Sequence, residues 1–455
     1  VKYVSTRGEA PILSFDEVLL QGLASDGGLY VPERWPRLGR IPVEHGYPAV
    51  VCAVLEPLVG DGAVGSDLEA LTAAAYRRFR HPEIAPLRPA GSKIGLLELY
   101  WGPTLSFKDY ALQLVARMFD RVLGVRGMKM TVLGATSGDT GSAAIEAFRG
   151  LEAVNVVILY PEGRISDIQR RQMTTVSDLN VSAVAVEGTF DDCQALVKRA
   201  FSDPELSGRY RLGSVNSINW GRVAVQAAYH WWAASLMGGP VDVVVPTGNF
   251  GNAFAGWVAR RMGAPIARIV IGNNANHGLA DLIRSGTIRS APVVATVAPA
   301  MDIQVPSNLE RYLFELWDRD PVRTRDAAAR LAAGEEVVLD APAHLRSSNE
   351  MAAHWVDDRE IRRTIARLYS EKGLLVDPHT AAGWAALEQV RGSDPKVLVG
   401  TAHPAKFPEV VEEATGVRPA LPEDLADLQR RPERIRRISP GIDQLRQVLE
   451  DLNTA

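Results

Sequence analysis

From about residue 93 onward, short apolar runs bounded by glycine or proline alternate with longer stretches of helical period. Met130-Thr131-Val132-Leu133 precedes a helical pattern over Gly141 to Phe148, and Val154 to Leu159 precedes one that starts after Ser166. Val181 to Val186 leads to a helix around Asp192 to Phe201, and Val241 to Val245 to one over Asn252 to Arg261. Ile269-Val270-Ile271 is followed by Leu279 to Ile283, and a later run, Lys396 to Val399, enters Gly400-Thr401-Ala402-His403 directly. Strand, helix, strand at this spacing demands right-handed crossovers, so an α/β fold with parallel sheets covered by helices is expected.

Upstream the texture differs. Residues 1–92 read as a mostly helical N-terminal domain, apolar around Ile12 to Leu23 and Tyr47 to Leu58, with connections at Val31-Pro32 and Trp35-Pro36. The change comes at Ile94 to Tyr100. We therefore expect the α/β region to span 93–420, in two subdomains with the functional site between them, and 421–455 to form a helical tail. The alanine-rich, charged stretch from Asp318 to Glu336 reads as a solvated helical insertion, and no internal repeat is evident.

Composition narrows the function classes. The 455 residues are 46% hydrophobic and 23% charged, as in ordinary globular enzymes, and the formal net charge of −4 predicts neither a nucleic-acid nor a membrane partner. Cys52 and Cys193 are too few for a disulfide framework or a cysteine-rich zinc site, and no HExxH or CxxC spacing exists, so no metal is expected. No apolar run is long enough to cross a bilayer and no secretory leader is recognisable, which predicts a cytoplasmic location.

In parallel sheets, ligands gather beyond the carboxyl ends of the strands. Three polar, glycine-rich segments fall there: 134–142, 246–252 and 400–404. Gly134 to Gly141, with Thr136, Ser137, Asp139 and Thr140, offers hydroxyls and N–H groups at a helix start, where an anion cradle or a plain N-cap would both suit it. Pro246 to Asn252 repeats strand, glycine loop and helix without a Walker or dinucleotide pattern, which suits a phosphate monoester better than a nucleotide. Asn216-Ser217-Ile218-Asn219-Trp220-Gly221-Arg222 assembles amides, a hydroxyl and a guanidinium ahead of a helix, a set suited to a second phosphate or a carboxylate. Lys108 stands in Gly102-Pro103-Thr104-Leu105-Ser106-Phe107-Lys108-Asp109, among small and apolar residues where desolvation would free its amine for Schiff-base formation. His230-Trp231-Trp232 reads as packing.

Taken together these strings resemble threonine synthase over nearly the whole chain. The resemblance starts with Tyr3 to Gly8 and Gly22 to Tyr30 and runs through the Lys108 segment, Ala135 to Gly141 and Asn216 to Arg222. It closes with Pro299-Ala300-Met301-Asp302 and Thr401-Ala402-His403-Pro404-Ala405-Lys406-Phe407. It implies a fold-type II enzyme dependent on pyridoxal 5′-phosphate (PLP), with Lys108 as the Schiff-base lysine and proton carrier. Gly248, Asn249, Phe250, Gly251 and Asn252 would cradle the cofactor phosphate, and Thr401 would bond the pyridine nitrogen. Thr136, Ser137, Asp139 and Thr140 would receive the substrate carboxylate and line the cofactor's face, while Asn216, Ser217 and Arg222 would hold the substrate phosphate with help from Thr140.

The implied reaction turns O-phospho-L-homoserine and water into L-threonine and phosphate, in a monomer or homodimer. The alternative is a PLP lyase or replacement enzyme acting on another γ-substituted amino acid. Four positions depart from the family pattern, Trp101 for histidine, Ser106 for alanine, Asn252 for aspartate, and His277 for aspartate after Asn276, and those at Trp101 and His277 motivate this alternative.

Overall fold

The computed structural model describes residues 1–392 and 394–454. Two sheets organise the chain. The larger runs in the order Met351–Trp355, Ile266–Asn273, Val241–Pro246, Lys396–Gly400, Ile94–Glu98, Leu87–Gly91, and only the last strand is antiparallel to its neighbour. The smaller runs Arg436–Ile438, Val181–Val186, Val154–Pro161, Met130–Ala135, Leu212–Gly213, all parallel. The central strand Val-Asp-Val-Val-Val-Pro is buried along its length, as a parallel strand covered on both faces must be. Its one charge, Asp242, is paired with Arg268 across the adjacent strand at 2.7 Å.

The helix Lys108–Val125 carries Lys108 at its first position and buries most of its length. It packs against the helices Asp139–Phe148 and Trp220–Leu236, which belong to the two halves of the α/β region. Lys108 thus starts an element flanked by both halves, close to the carboxyl end of the strand Lys396–Gly400.

Several local expectations need correcting. The N-terminal region is not helical throughout: Tyr3–Ser5 pairs antiparallel with Tyr30–Pro32, so Val31-Pro32 lies in a ladder instead of a connection. Proline is tolerated because the two-stranded ribbon leaves its missing N–H on an edge. The strand Leu87–Gly91, below residue 93, already belongs to the larger sheet. Nor is the C-terminal segment only a helical tail, because Arg436–Ile438 extends the smaller sheet before the helix Ile442–Thr454. That strand is only three residues long, too short for alternation to show. The Asp318–Glu336 stretch contains the helix Pro321–Ala332, capped by Asp320. Among the described residues no helix is long and apolar enough to cross a membrane.

Candidate active site

The loop before Lys108 is fixed by its own sequence. The Thr104 N–H and hydroxyl donate to the two oxygens of Asp109 at 2.7 Å each, and a Cβ at Gly102 would lie 2.5 Å from that of Asp109. Leu105 takes a left-handed φ of 65° to make the bend. Beyond it, the Phe107 N–H donates to the Thr401 carbonyl at 2.9 Å and the His403 N–H to the Leu105 carbonyl at 3.0 Å. This short ladder brings Lys108 and Thr401, distant in sequence, to one place.

The Lys108 amine lies 4.8 Å from the Phe107 ring centroid and 3.3 Å from an Asp139 oxygen. Burial pushes its pKa below the ordinary lysine value. Asp139 opposes that shift, while Lys406 and Arg222 add to it. Asp139 is shared: its other oxygen accepts from the Lys406 ammonium at 2.7 Å and from Gln169 Nε2 at 2.9 Å. Burial would raise its carboxyl, but the two lysines and the Gln169 bond outweigh that and hold it far below the usual carboxylate range. Both oxygens of Asp139 are thus engaged within the protein, one by Lys108 and the other by Lys406 and Gln169. The cradle around it is also smaller than expected, since Thr136 Oγ accepts the N–H groups of Gly138 (3.0 Å) and Gly141 (2.8 Å). Ser137 is exposed and Thr140 half-buried, so both remain available.

The second glycine loop enters the helix Gly251–Met262 through Phe250, whose φ is 63°. Gly248 passes so close to the Ala300 carbonyl that a Cβ would sit 2.4 Å from its oxygen. The first turn of such a helix presents N–H groups without intrahelical partners, and the helix dipole favours an anion there. Behind the loop, Asn252 Oδ1 accepts the Tyr229 hydroxyl at 2.8 Å, and His230 Nε2 lies 2.8 Å from the Asn252 carbonyl oxygen. His230 is therefore more than packing; it anchors the loop, and burial lowers its pKa to about 4 so that it stays neutral. Thr401 keeps a buried hydroxyl with no partner among the described residues.

Arg222 lies in the first turn of Trp220–Leu236 and is buried. It donates Nη1 to the Val215 carbonyl at 3.1 Å, and among the described residues its Nε has no partner and no carboxylate pairs with it. Burial lowers its pKa to about 10, against a small opposing effect of Tyr229. The neighbouring Asn216 is exposed and Ser217 half-buried, with Ser217 Oγ 3.1 Å from Ser307 Oγ, which in turn donates to Asn249 at 3.0 Å.

Two further residues join these loops, and sequence reading missed both. Asn308 Nδ2 donates to the carbonyls of Ser217 (3.0 Å) and Asn249 (3.2 Å). Arg311, fully buried, donates to Asn308 Oδ1, to the Ile218 carbonyl and to the Tyr30 carbonyl. Their partners are mostly backbone carbonyls, which no motif records.

The unusual residues scatter. Trp101 donates Nε1 to Glu98 at 3.0 Å and packs between His81 and His403. His277 stacks on Trp355 with centroids 4.5 Å apart and meets Asp281 at 2.8 Å, an arrangement of its own helix start. Ser106 leaves a buried hydroxyl, unpartnered among the described residues, one ladder step from Thr401.

A buried amine poised to condense, a glycine loop at a helix N-terminus and an orphaned hydroxyl on the segment that pairs with residues 105–107 fit a phosphate-bearing aldehyde cofactor. Residues 87–401 match the profile of pyridoxal-phosphate dependent enzymes, and with the two parallel sheets this defines the class as a fold-type II PLP enzyme. Residues 2–76 match the threonine synthase N terminus and 380–449 the threonine synthase C-terminal profile. A threonine synthase of Pseudomonas aeruginosa is 43% identical over 95% of both chains. The crystal structure of PLP-bound threonine synthase from Brucella melitensis superposes with TM-score 0.97 at 43% identity over all of both chains. Threonine synthase from yeast gives 0.93 at 35% identity, over 100% of this chain and 99% of that one. The chain belongs to the threonine synthase family, and its cofactor is pyridoxal phosphate.

Proposed function

We propose that the protein converts O-phospho-L-homoserine and water into L-threonine and phosphate. The observation that carries this reading is Arg222, a buried guanidinium without a carboxylate partner among the described residues, close enough to Lys108 to depress its pKa. Holding such a charge out of water is costly unless an anion arrives to pair with it. With the loop 248–252 given to the cofactor phosphate, Arg222 is free for an anion on the substrate.

When bound, PLP supplies an electron sink for negative charge on the carbon beside the substrate's amino group. Lys108 binds the cofactor, and its desolvated amine takes and returns protons at that carbon. Gly248 to Asn252 hold the cofactor phosphate, and the Thr401 hydroxyl takes the pyridine nitrogen. Ser137 and Thr140 receive the substrate carboxylate, on a loop whose shape Thr136 holds. Arg222, Asn216 and Ser217 orient the substrate phosphate and stabilise it as it departs from the terminal carbon, taking with it the bonding pair as a proton is lost from the middle carbon. The terminal carbon then gains a proton, and water adds its hydroxyl to the middle carbon and releases its own proton. The two free thiols, Cys52 and Cys193, suit the reducing cytoplasm in which we place this reaction.

Incubation of the PLP-loaded protein with O-phospho-L-homoserine, with threonine and phosphate quantified together, tests the reading. Equal amounts are expected. Phosphate without threonine would replace it by a lyase, and neither product would sink it.

A further inference from the structure

Lys406 has no assigned part in this chemistry, yet it is fully buried and ends 2.7 Å from Asp139, the one carboxylate among the described residues that Lys108 touches. Its ammonium is held on the far side by the Thr104 carbonyl at 2.8 Å, in the loop that leads to Lys108. Two lysines therefore compete for Asp139. Lys406 has the shorter contact, and Gln169 braces the same oxygen.

We propose that Lys406 is a positioning residue: by taking Asp139 as its own ion-pair partner, it keeps the Lys108 amine unprotonated and ready to accept a proton. This rests on the reading of Lys108 as the reacting amine.

The charges around the two lysines support this division. Lys108 faces Asp139 from one helix, Arg222 from another and Lys406 from the loop after the strand Lys396–Gly400, so two of its three charged neighbours are cations. Lys406 lies in the field of one more carboxyl, Asp109. That group is tied up by Thr104, and burial raises its pKa to about 6. His403, near Lys406, is pushed down to about 4 by burial and carries no charge at neutral pH. With Lys406 uncharged, Asp139 would be left to Lys108 alone. An opposite charge in direct contact raises an amine's pKa by about 1–3 units.

The test is Lys406→Gln, which removes the charge but keeps an amide donor for Thr104 and Asp139. In the full chain stripped of cofactor, the pKa of Lys108 is read from the pH dependence of its acetylation by acetic anhydride, by mass spectrometry of its peptide. The expected rise is about 1–3 units, with the acid limb of kcat/KM in the PLP-loaded enzyme moving the same way. Lys406→Arg, which keeps the charge, should bring the Lys108 value back toward wild type. A folded Lys406→Gln protein whose Lys108 titrates as in wild type overturns the proposal. Should that variant fail to fold, Lys406→Met, which also removes the charge but fills the buried space with an apolar stem, serves: the same rise is expected, and an unmoved Lys108 value overturns the proposal equally. The labelling needs no turnover, so a wild type that makes no threonine would fail the functional reading without deciding this one.

Discussion

Arg222→Met separates stability from function at one position. Methionine keeps most of the apolar stem and deletes the charge. A guanidinium lowered by burial to about 10 is disfavoured as a cation by roughly 3 kcal/mol at neutral pH. Deleting it also loses the bond to the Val215 carbonyl, worth about 1–3 kcal/mol where that carbonyl stays buried. The two nearly offset, so the cofactor-free variant should unfold at the same temperature as wild type or slightly higher. Binding tells the opposite story. A charge-assisted contact to a phosphate contributes about 1.5–3 kcal/mol, so kcat/KM for O-phospho-L-homoserine should fall roughly ten- to a hundredfold. Inorganic phosphate gives an independent readout, because a ligand that binds only the folded state raises the melting temperature with its concentration. Wild type should show that rise beyond what the cofactor loop provides, and the variant should lose it. A variant with unchanged kcat/KM would place the substrate phosphate elsewhere. One that melts far below wild type would refute the idea that Arg222 sits uncompensated.

Three further outcomes are expected. Thr401→Val removes a buried hydroxyl that has no partner among the described residues, so the cofactor-free protein should be no less stable, while PLP affinity or the visible spectrum of the holoenzyme should change; a large loss of stability would mean the hydroxyl is satisfied within the protein. Gly248→Ala drives a Cβ against the Ala300 carbonyl, which is backbone and cannot rotate away, so dialysis should strip PLP from the variant faster than from wild type. His230 has a folded pKa of about 4, below that of the unfolded chain, so its contribution is present above the ordinary histidine range and is lost as pH falls toward 4. Chemical denaturation of wild type and His230→Gln at several pH values should show the wild type losing more stability between pH 6.5 and 4, by up to roughly 3 kcal/mol. Parallel curves would refute it.

How much of this was legible beforehand depends on the range of the interaction involved. Val181 to Val186 came out residue for residue, because a buried parallel strand writes its signal in consecutive side chains. The strand Met351–Trp355 and the helices Asp358–Lys372 and Pro378–Gln389 were not distinguished, lying in a stretch where polar and apolar residues mix. Lys108 was found as a lysine in small and apolar company. Lys406, in Ala405-Lys406-Phe407, answers the same description, and the criterion applied evenly would have flagged it.

By itself the sequence determined the α/β class, the glycine loops at strand ends and the family, since these depend on side-chain order within a few residues or on strings of ordered motifs. Which groups meet was decided only by tertiary structure. The pairing of residues 105–107 with 401–403 puts Thr401 beside Lys108, and the packing of three elements gives one carboxylate, Asp139, to two lysines. It likewise leaves Arg222 without one among the described residues, and moves His277 into a stack with Trp355. Burial and charge balance are properties of neighbours in space. A chain that brings positions 108, 139, 222 and 406 together does not record that meeting in any local pattern.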